Sequence, residues 1–323
     1  MLEKNIFIKD LKPHDTVHST FLVKGKETPL ARNGKPYLAI SLMDRSGEID
    51  SRVWENATDL AETFDTGDVV AVGGKVNAYQ NRLQLIVDHL IPVSLEEVDL
   101  RDFLPEGPEN VEALYKELVA VFEGLSNPWI RKLALALLQD PEIAERYKVC
   151  PAAKTIHHAF LGGLLVHSLQ LIHLVDAVLK FYEGIDRDIA VFGAAFHDFG
   201  KIFELSYNNA FTYTDEGKLV GHIAIGAILI DRKIRDIPNF PKELEYQLKH
   251  IVLAHHGHLE FGSPKRPHTI EAQLVHHLDD MDSKLNSIQT FMQSVKSKSR
   301  WTPEHRAYHQ YYYRPDVYLN APN

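Results

Sequence analysis

The residues best suited to chemistry in this chain are an adjacent pair, His197 and Asp198, within the segment FHDFGK (196–201). Neutral imidazole and ionised carboxylate are common ligands of borderline divalent metals. In such a pair the imidazole can bind one ion while the carboxylate oxygens bridge two. All but three of the 18 histidines follow residue 150, so we predict a metal centre in that half of the chain. The further candidate ligands flank the pair at helix-scale intervals and are His167, His222, His255, His256 and Asp279.

Helices are predicted around these positions, because apolar residues recur there at spacings of three and four. His197 and Asp198 would follow a helix over 189–196, His222 would begin another, and Asp279 would lie within a third. Helices that converge on one centre can each deliver one ligand. The pattern therefore favours a metal site enclosed by helices.

Three residues are candidates for catalysis: Asp198, Lys201 and His222. Lys201 follows Asp198 by three positions and shares its face if the helical turn continues. A cation there could steady a phosphate oxygen or a metal-bound hydroxide. The neighbours His255 and His256 point about 100° apart on a helix and cannot share one face. One of them would bind metal while the other faces substrate or a second ion.

The order of these residues resembles that in the HD superfamily of metal-dependent phosphohydrolases, whose domains are helical. Five sequence blocks carry a closer resemblance: HHAFLGGLLVHS (157–168), GHI (221–223), AHHG (254–257), EFGSPK (260–265) and LDDMD (278–282). With them the chain resembles, over nearly its whole length, the YhaM family of 3′→5′ exoribonucleases. The resemblance implies an OB-fold before the HD domain and manganese as the working ion. It also implies Asp279 as the last ligand, with Asp280 as a salt-bridging or supporting neighbour.

The ligand set also predicts which metal would bind. Four or five imidazoles with two carboxylates carry a formal charge of about −2, so two divalent ions would leave about +2, attractive to a phosphodiester. Such a pair lowers the pKa of bound water and clamps the attacking and leaving oxygens. Imidazole-rich ligation favours Mn, Fe, Co or Zn over Mg, which prefers oxygen. We expect two divalent ions, and among these candidates the resemblance to the YhaM family implies Mn²⁺.

Residues 15–93 read as a five-stranded barrel that precedes the helical part. Apolar and polar residues alternate along 17–23 and 49–54, and turn signals occur at 32–36, 44–47 and 80–82. A helix is predicted over 57–64, and the last two strands over 69–76 and 83–90. Five strands with a helix after the third is the order of an OB-fold, which commonly binds single strands.

Basic and aromatic side chains are the candidates for contacting nucleic acid. Those of the barrel are Lys35, Tyr37, Arg52, Trp54, Lys75, Tyr79 and Arg82, and Lys265 is the one in the helical domain. Base stacking and phosphate contacts call for these residue types. Residues 1–95 hold 11 basic and 13 acidic side chains, so bulk charge does not attract a strand. For Trp54 the alternative is a side chain that fills the barrel.

The domain organisation predicted is an OB-fold domain over 1–95, a linker over 96–110 with Pro105 and Pro108, an HD domain over 111–295, and a tail over 296–323. The tail is basic and aromatic, which would suit a single strand. The alternative is an ordinary C-terminal helix whose aromatic residues dock on the domain. The fold class is therefore a multidomain chain, with a β-barrel followed by an all-α domain.

Composition narrows the function. The chain has 323 residues and a net charge of −9, which argues against coating nucleic acid through positive charge alone. Its single cysteine and the missing signal-peptide core at residues 1–13 predict a soluble cytoplasmic protein without membrane attachment. Self-association stays open.

The leading hypothesis is a metal-dependent 3′→5′ exonuclease that acts on single-stranded RNA, with single-stranded DNA as a second candidate. The alternatives are a phosphohydrolase of nucleotides or second messengers and a non-catalytic nucleic-acid-binding regulator.

Overall fold

The computed structural model of the chain describes residues 4–31, 33–79, 82–94, 97–99, 102–103, 107, 110–153, 160–206, 212–295, 299–305 and 307–319. Several sequence features lie outside the described residues. They are Arg32, Gln80 and Asn81 of the turns, Pro105 and Pro108 of the linker, His157 and His158, and Lys296, Lys298 and Arg306 of the tail.

Two compact units make up the chain. Unit 1 comprises Met1–Pro108 and Glu204–Lys218, and unit 2 comprises Glu109–Phe203 and Leu219–Asn323. The grouping of Glu204–Lys218 with unit 1 has no counterpart among the boundaries that we expected from the sequence. Those boundaries stay predictions.

Unit 1 contains a closed five-stranded barrel. Its strands are β1 (Thr16–Glu27), β2 (Leu38–Asp44), β3 (Gly47–Val53), β4 (Val69–Tyr79) and β5 (Arg82–Val93), and helix α1 (Ala57–Ala61) follows β3. The order around the barrel is β1-β2-β3-β5-β4, with β3 and β5 parallel and the other pairs antiparallel. This is the OB-fold that the sequence predicts. The helix is three residues shorter than expected.

The barrel core holds the inward-facing apolar residues of every strand. In β1 the predicted alternation holds for Val17, Phe21 and Val23, which all lie in this core. Leu22 is buried as well, so the middle of β1 is covered on both faces. Gly74 lies at a bulge between β4 and β5, where an added Cβ would come within 2.2 Å of the Ile86 carbonyl oxygen. A residue without a side chain is required at that close approach.

Unit 2 is helical among its described residues. Its helices are α2 (Val111–Glu123), α3 (Pro128–Leu138), α4 (Pro141–Val149), α5 (Gly163–Val178) and α6 (Arg187–Phe196), then α9 (His222–Arg235), α10 (Lys242–Ala254), α11 (Ile270–Ser294) and α12 (Asp316–Leu319). Between α6 and α9 in the chain lie α7 (Lys201–Glu204), the antiparallel strands β6 (Leu205–Ser206) and β7 (Thr212–Tyr213), and α8 (Asp215–Leu219). Of these, β6, β7 and all but the last residue of α8 belong to unit 1. Single-turn 3₁₀ helices span Ile8–Asp10 and Leu259–Phe261.

Side-chain caps fix where several helices begin. Asn110, Asn127, Asp140 and Asp186 each accept two backbone N–H groups in the first turn of α2, α3, α4 and α6, respectively. These N–H groups have no partner within the helix, so a capping oxygen stabilises the helix by about 1 kcal/mol. Pro at the first position of α3 and α4 adds a φ angle already suited to the helix.

Helix α6 is the centre of unit 2, and every residue from Asp188 to Phe196 is buried. The helix packs against α5, α10 and α11. At Gly193 an added Cβ would meet Ile251 Cγ2 at 2.7 Å and Val275 Cγ2 at 3.0 Å. The glycine thus lets α10 and α11 approach α6 closely, one turn before His197. Among the described residues, no helix has the length and apolarity needed to cross a membrane.

Candidate metal centre and nucleic-acid face

The His-Asp pair lies at the C-terminal end of α6, as the sequence predicts. His197 caps the helix and is fully buried, and Asp198 follows with 2% of its surface exposed. Gly200 sets the distance to α9, since a Cβ there would come within 2.0 Å of the His222 carbonyl oxygen. The close packing that places His222 beside Asp198 therefore depends on a glycine at this position.

One group of possible ligands consists of His167, His197, Asp198 and Asp279, from α5, the end of α6 and α11. Their ligand atoms all lie within 4.8 Å of one another. His167 Nε2 is 3.3 Å from His197 Nε2 and 3.2 Å from Asp279 Oδ1. His197 Nε2 is 3.4 Å from Asp198 Oδ2. These spacings suit four donors around one ion.

A second group consists of Asp198, His222, His255 and His256, again with all ligand atoms within 4.8 Å. The Nε2 atoms of His222 and His255 each lie 3.4 Å from Asp198 Oδ1. Asp198 is thus common to both groups, with one oxygen toward each. The two groups together contain all seven residues that the sequence suggests as metal ligands.

His255 and His256 lie at the end of α10, whose last residue is Ala254. His255 is the C-cap and keeps helical φ and ψ angles. That one of these two histidines binds metal while the other faces substrate or a second ion stays a prediction. Their ring centroids are 4.3 Å apart, and both belong to the second group.

The histidine rings are held by their second nitrogen atoms. The Nδ1–H groups of His197, His255 and His256 donate to the carbonyl oxygens of Ala194, Val252 and Phe261, at 3.1, 2.8 and 2.8 Å. A carbonyl can only accept, so each ring carries a proton on Nδ1, and Nε2 is the atom left to face an ion. Such hydrogen bonds fix the tautomer that binds metal.

His167 is held differently, by a carboxylate that sequence reasoning missed. Its Nδ1 lies 2.8 Å from Asp282 Oδ2, and the Gln170 amide donates to Asp282 Oδ1 at 2.6 Å. Asp282 is buried. A carboxylate on the far nitrogen of a ligating histidine increases the basicity of the ring. The available signal was position, because Asp282 follows Asp279 by three residues on α11 and so lies on the same face.

Electrostatics differ between the two groups. Burial alone would lower the pKa of His197, but the carboxylates of Asp198 and Asp279 outweigh it and raise that pKa to about 10. Burial would likewise raise the pKa of the Asp198 carboxyl, which Lys201 and His197 instead hold well below its usual range. In the second group, burial lowers the pKa of His255 to about 4. The charged form of His197 is therefore favoured in the first group, whereas the neutral imidazole of His255 is favoured in the second.

Two buried polar atoms indicate whether metal ions fit this centre. Asp198 Oδ1 and His255 Nε2 are buried and have no hydrogen-bond partner among the described residues, although they lie 3.4 Å apart. A buried polar atom that lacks a partner costs about 1–3 kcal/mol. A cation between them would satisfy both. The donors thus fit a pair of ions that share Asp198.

Lys201 lies against Asp198, as expected from its spacing. Its ammonium group donates to Asp198 Oδ2 at 2.6 Å and to the Ala152 carbonyl oxygen at 2.7 Å. The bond to Ala152 holds the ammonium group in place, and the bond to Asp198 fixes the carboxylate. The geometry supports a role in orienting Asp198.

A cleft of about 270 Å³ opens over the two groups. Its lining includes Asp198, Asp279 and the neighbouring Asp280, which forms a salt bridge with Lys284 at 2.8 Å. Asp279 lies in the first ligand group, whereas Asp280 lies in neither group. The role of Asp279 as the last ligand stays a prediction. Lys265 is exposed in the loop after the 3₁₀ turn Leu259–Phe261 and is not part of the lining.

In unit 1, six of the seven candidate residues point outward from the barrel. We call the outer surface that they form the exposed barrel face and define it by Tyr37, Arg52, Trp54, Lys75, Tyr79 and Arg82. The four that belong to β3, β4 and β5 occupy outward-facing alternate positions. Tyr37 directly precedes β2, and Trp54 directly follows β3. The seventh, Lys35, is exposed in the loop between β1 and β2.

Contacts on the exposed barrel face join aromatic and basic side chains. The rings of Tyr37 and Trp54 stack with centroids 4.8 Å apart, and the Arg52 guanidinium is 5.9 Å from the Tyr37 ring. Trp54 is 53% exposed, so the alternative that it fills the barrel is wrong. Tyr79 pairs with Arg82 where β4 meets β5. Stacked rings beside cations suit single-stranded nucleic acid.

The tail, over its described residues, is extended rather than the helix that we considered. Thr302 and Tyr312 pair through their backbones, and only α12 is helical. His305 is buried against α11, with its ring 4.7 Å from Phe291 and its Nε2 3.3 Å from the Ser287 hydroxyl. The tail therefore docks on the domain. Its contact with a nucleic acid strand stays a prediction.

Comparison with known families agrees with both units. The OB-fold nucleic acid binding domain family matches residues 17–93, and the HD domain family matches residues 164–284. Fold and site thus define a protein that joins an OB-fold to an HD domain with a histidine–aspartate centre. The fold class predicted from the sequence is confirmed.

Curated relatives give a narrower family. The chain is 32% identical over 296 residues to the 3′-5′ exoribonuclease YhaM of Bacillus pumilus (strain SAFR-032), across 91% of this chain and 93% of that protein. It is also 32% identical over 283 residues to the protein of that name from Bacillus subtilis (strain 168), across 87% and 89%. This chain belongs to the YhaM family of 3′-5′ exoribonucleases, as the resemblance of its sequence blocks implies.

Proposed function

We propose that this protein is a metal-dependent 3′-5′ exonuclease that hydrolyses phosphodiester bonds of single-stranded RNA, with single-stranded DNA as a second substrate. The observation that carries the proposal is the pair of four-residue ligand groups that share Asp198. Two such groups can hold ions on both sides of one phosphodiester. The activity named for the curated relatives supports this reaction.

The metal ligands in this proposal are the seven residues of the two groups. Five of them are histidines, which favours Mn, Fe, Co or Zn over Mg. Mn²⁺ is the proposed ion among these because the resemblance to the YhaM family implies manganese. When bound, two divalent cations supply a water of lowered pKa and neutralise charge on the phosphodiester oxygens. A cytoplasmic location and self-association remain predictions.

The chain's own residues position this chemistry. Lys201 and the Ala152 carbonyl fix the orientation of Asp198, and Asp282 fixes the ring of His167. His222 is held in the second group by the close packing at Gly200. In this proposal Asp198 and His222 act as ligands, and Lys201 keeps the shared carboxylate ionised and correctly placed.

In this proposal the exposed barrel face binds the single-stranded RNA. Its stacked rings of Tyr37 and Trp54 can take unstacked bases, and Arg52, Lys75 and Arg82 can contact phosphates. A phosphohydrolase of small nucleotides would need no such surface. The barrel therefore favours a polymeric substrate over the small-molecule alternative. The assembled ligand groups, in turn, argue against a regulator without catalytic activity.

Direction and substrate are tested with one single-stranded RNA labelled at either end and incubated with Mn²⁺. A 3′-5′ exonuclease releases the 3′ label at once as a mononucleotide, whereas the 5′-labelled strand shortens into a ladder. A 3′ label that persists while the 5′ label is released would contradict the direction. Hydrolysis of free nucleotides without shortening of RNA would favour the alternative enzyme class.

A further inference from the structure

Phe261 stands out beside the metal centre as an apolar side chain in a polar cleft. The cleft has nine described lining residues, and Phe261 is the only one of them that carries no polar side-chain atom. It is 64% exposed, although folding usually removes large aromatic side chains from water. A cleft over a centre for phosphate chemistry has no need of a hydrocarbon ring unless the substrate presents an apolar face.

The backbone at Phe261 is held by a metal-ligand candidate. The Phe261 carbonyl oxygen accepts the Nδ1–H of His256 at 2.8 Å, and its N–H donates to the His258 carbonyl oxygen at 3.1 Å. Gly262 ends the 3₁₀ turn with φ of 86°. The His258 ring lies edge-on to the Phe261 ring at 5.5 Å. The ring is therefore presented at a fixed place relative to the second ligand group.

We propose that Phe261 stacks on the base of the 3′-terminal nucleotide while the last phosphodiester lies at the two ligand groups. The proposal rests on the 3′-5′ exonuclease function proposed above and names a substrate-binding residue of that same site. A base has an apolar face whatever its identity, so one aromatic ring can hold every terminal nucleotide. A nuclease that shortens a mixed sequence needs such a contact.

The size of the cleft supports a single nucleotide. At about 270 Å³ it falls just below the range of roughly 300–1,000 Å³ of small-molecule sites. A stretch of several nucleotides does not fit there, so the rest of the strand has to lie outside it. The base nearest to Phe261 is then that of the nucleotide being removed.

Binding is tested with an RNA that carries 2-aminopurine at its 3′ end and a non-hydrolysable last linkage. Stacking quenches the fluorescence of this base. With Mn²⁺ present throughout, the wild-type protein should quench it, Phe261→Ala should not, and Phe261→Tyr should restore the effect. Leu259→Ala is the matched control, because Leu259 is 61% exposed in the same turn but does not line the cleft. Equal quenching by wild type and Phe261→Ala would overturn the proposal.

Kinetics with a 3′-terminal abasic RNA separate stacking from general damage. On ordinary RNA, Phe261→Ala should raise KM by about 10-fold to 100-fold, as expected for loss of one base stack. On the abasic RNA, Phe261→Ala and wild type should have the same KM. A loss that persists on the abasic RNA would refute stacking. If the wild type itself does not shorten RNA from the 3′ end, the proposed function fails, whatever the fluorescence shows.

Discussion

Replacing Asp198 with asparagine is the most direct test of the shared carboxylate. Asp198 belongs to both ligand groups, whereas Asp279 belongs to one. Asparagine keeps the volume of the side chain and removes its charge. We therefore expect Asp198→Asn to weaken binding of both ions, and Asp279→Asn to weaken binding of only one.

The size of the effect follows from the distances. All donors of a group lie within 4.8 Å of one another, so an ion among them is closer than that to Asp198. At an effective dielectric constant of about 20, unit charges about 4 Å apart interact by about 4 kcal/mol, and a dication interacts twice as strongly. Even the lower figure corresponds to roughly a thousandfold loss of affinity for each ion.

Metal content and activity measure the two parts of this prediction. After dialysis against limiting Mn²⁺, elemental analysis should find two ions in the wild type, one in Asp279→Asn and fewer than one in Asp198→Asn. Asp280→Asn is the matched control for metal content, because Asp280 pairs with Lys284 outside both groups. If Asp198→Asn keeps two ions and hydrolyses RNA within about tenfold of wild type, the shared-carboxylate centre is refuted.

Four further predictions concern other parts of the molecule. Asp282→Asn should lower Mn²⁺ affinity by about 10-fold to 100-fold in calorimetric titration, because it removes the carboxylate behind a ligating ring. His197 has a raised pKa of about 10 and is protonated at neutral pH. Because Mn²⁺ must displace that proton, the affinity of the first group for Mn²⁺ in calorimetric titration should rise about tenfold per pH unit between about pH 6 and 8. Trp54→Ala should leave the melting temperature of the barrel nearly unchanged, since the side chain is half exposed, but should raise KM on long RNA by about 5-fold to 100-fold and not on a dinucleotide. Gly200→Ala should separate α9 from the centre, because its Cβ would meet the His222 carbonyl oxygen at 2.0 Å; elemental analysis should then find at most one Mn²⁺, and two ions would contradict the reasoning.

The metal centre could be predicted from the sequence because metal-binding side chains are recognisable by residue type alone. Aspartate is rarely buried unless it is paired. The ligand candidates lie within α5 and α11, at the start of α9 and directly after α6 and α10, all of which are flanked by apolar residues at helical spacing. The carboxylate behind His167 was harder to predict. Asp282 follows two other acidic residues, and a run of acidic side chains on a helix usually faces solvent. Only the approach of α5 to α11 reveals that it is buried against His167.

In the barrel, the direction of a side chain could not always be predicted from the sequence. Alternation along β3 predicts which residues point inward, but Trp54 comes directly after the strand, where that rule no longer fixes its direction. Its ring stacks on that of Tyr37, which directly precedes the neighbouring strand β2. Contacts between distant residues of the chain are absent from local periodicity.

Closure of the barrel also governs how it can associate with other chains. The ladder β1-β2-β3-β5-β4 returns to β1, so the hydrogen-bonding groups along its described strands pair mainly within the barrel. An open sheet exposes an unpaired edge that can recruit a strand from another molecule and lead to aggregation. The closed ladder offers little of this edge. It protects the domain from intermolecular sheet growth, and a bound polymer has to be held by side chains and loops.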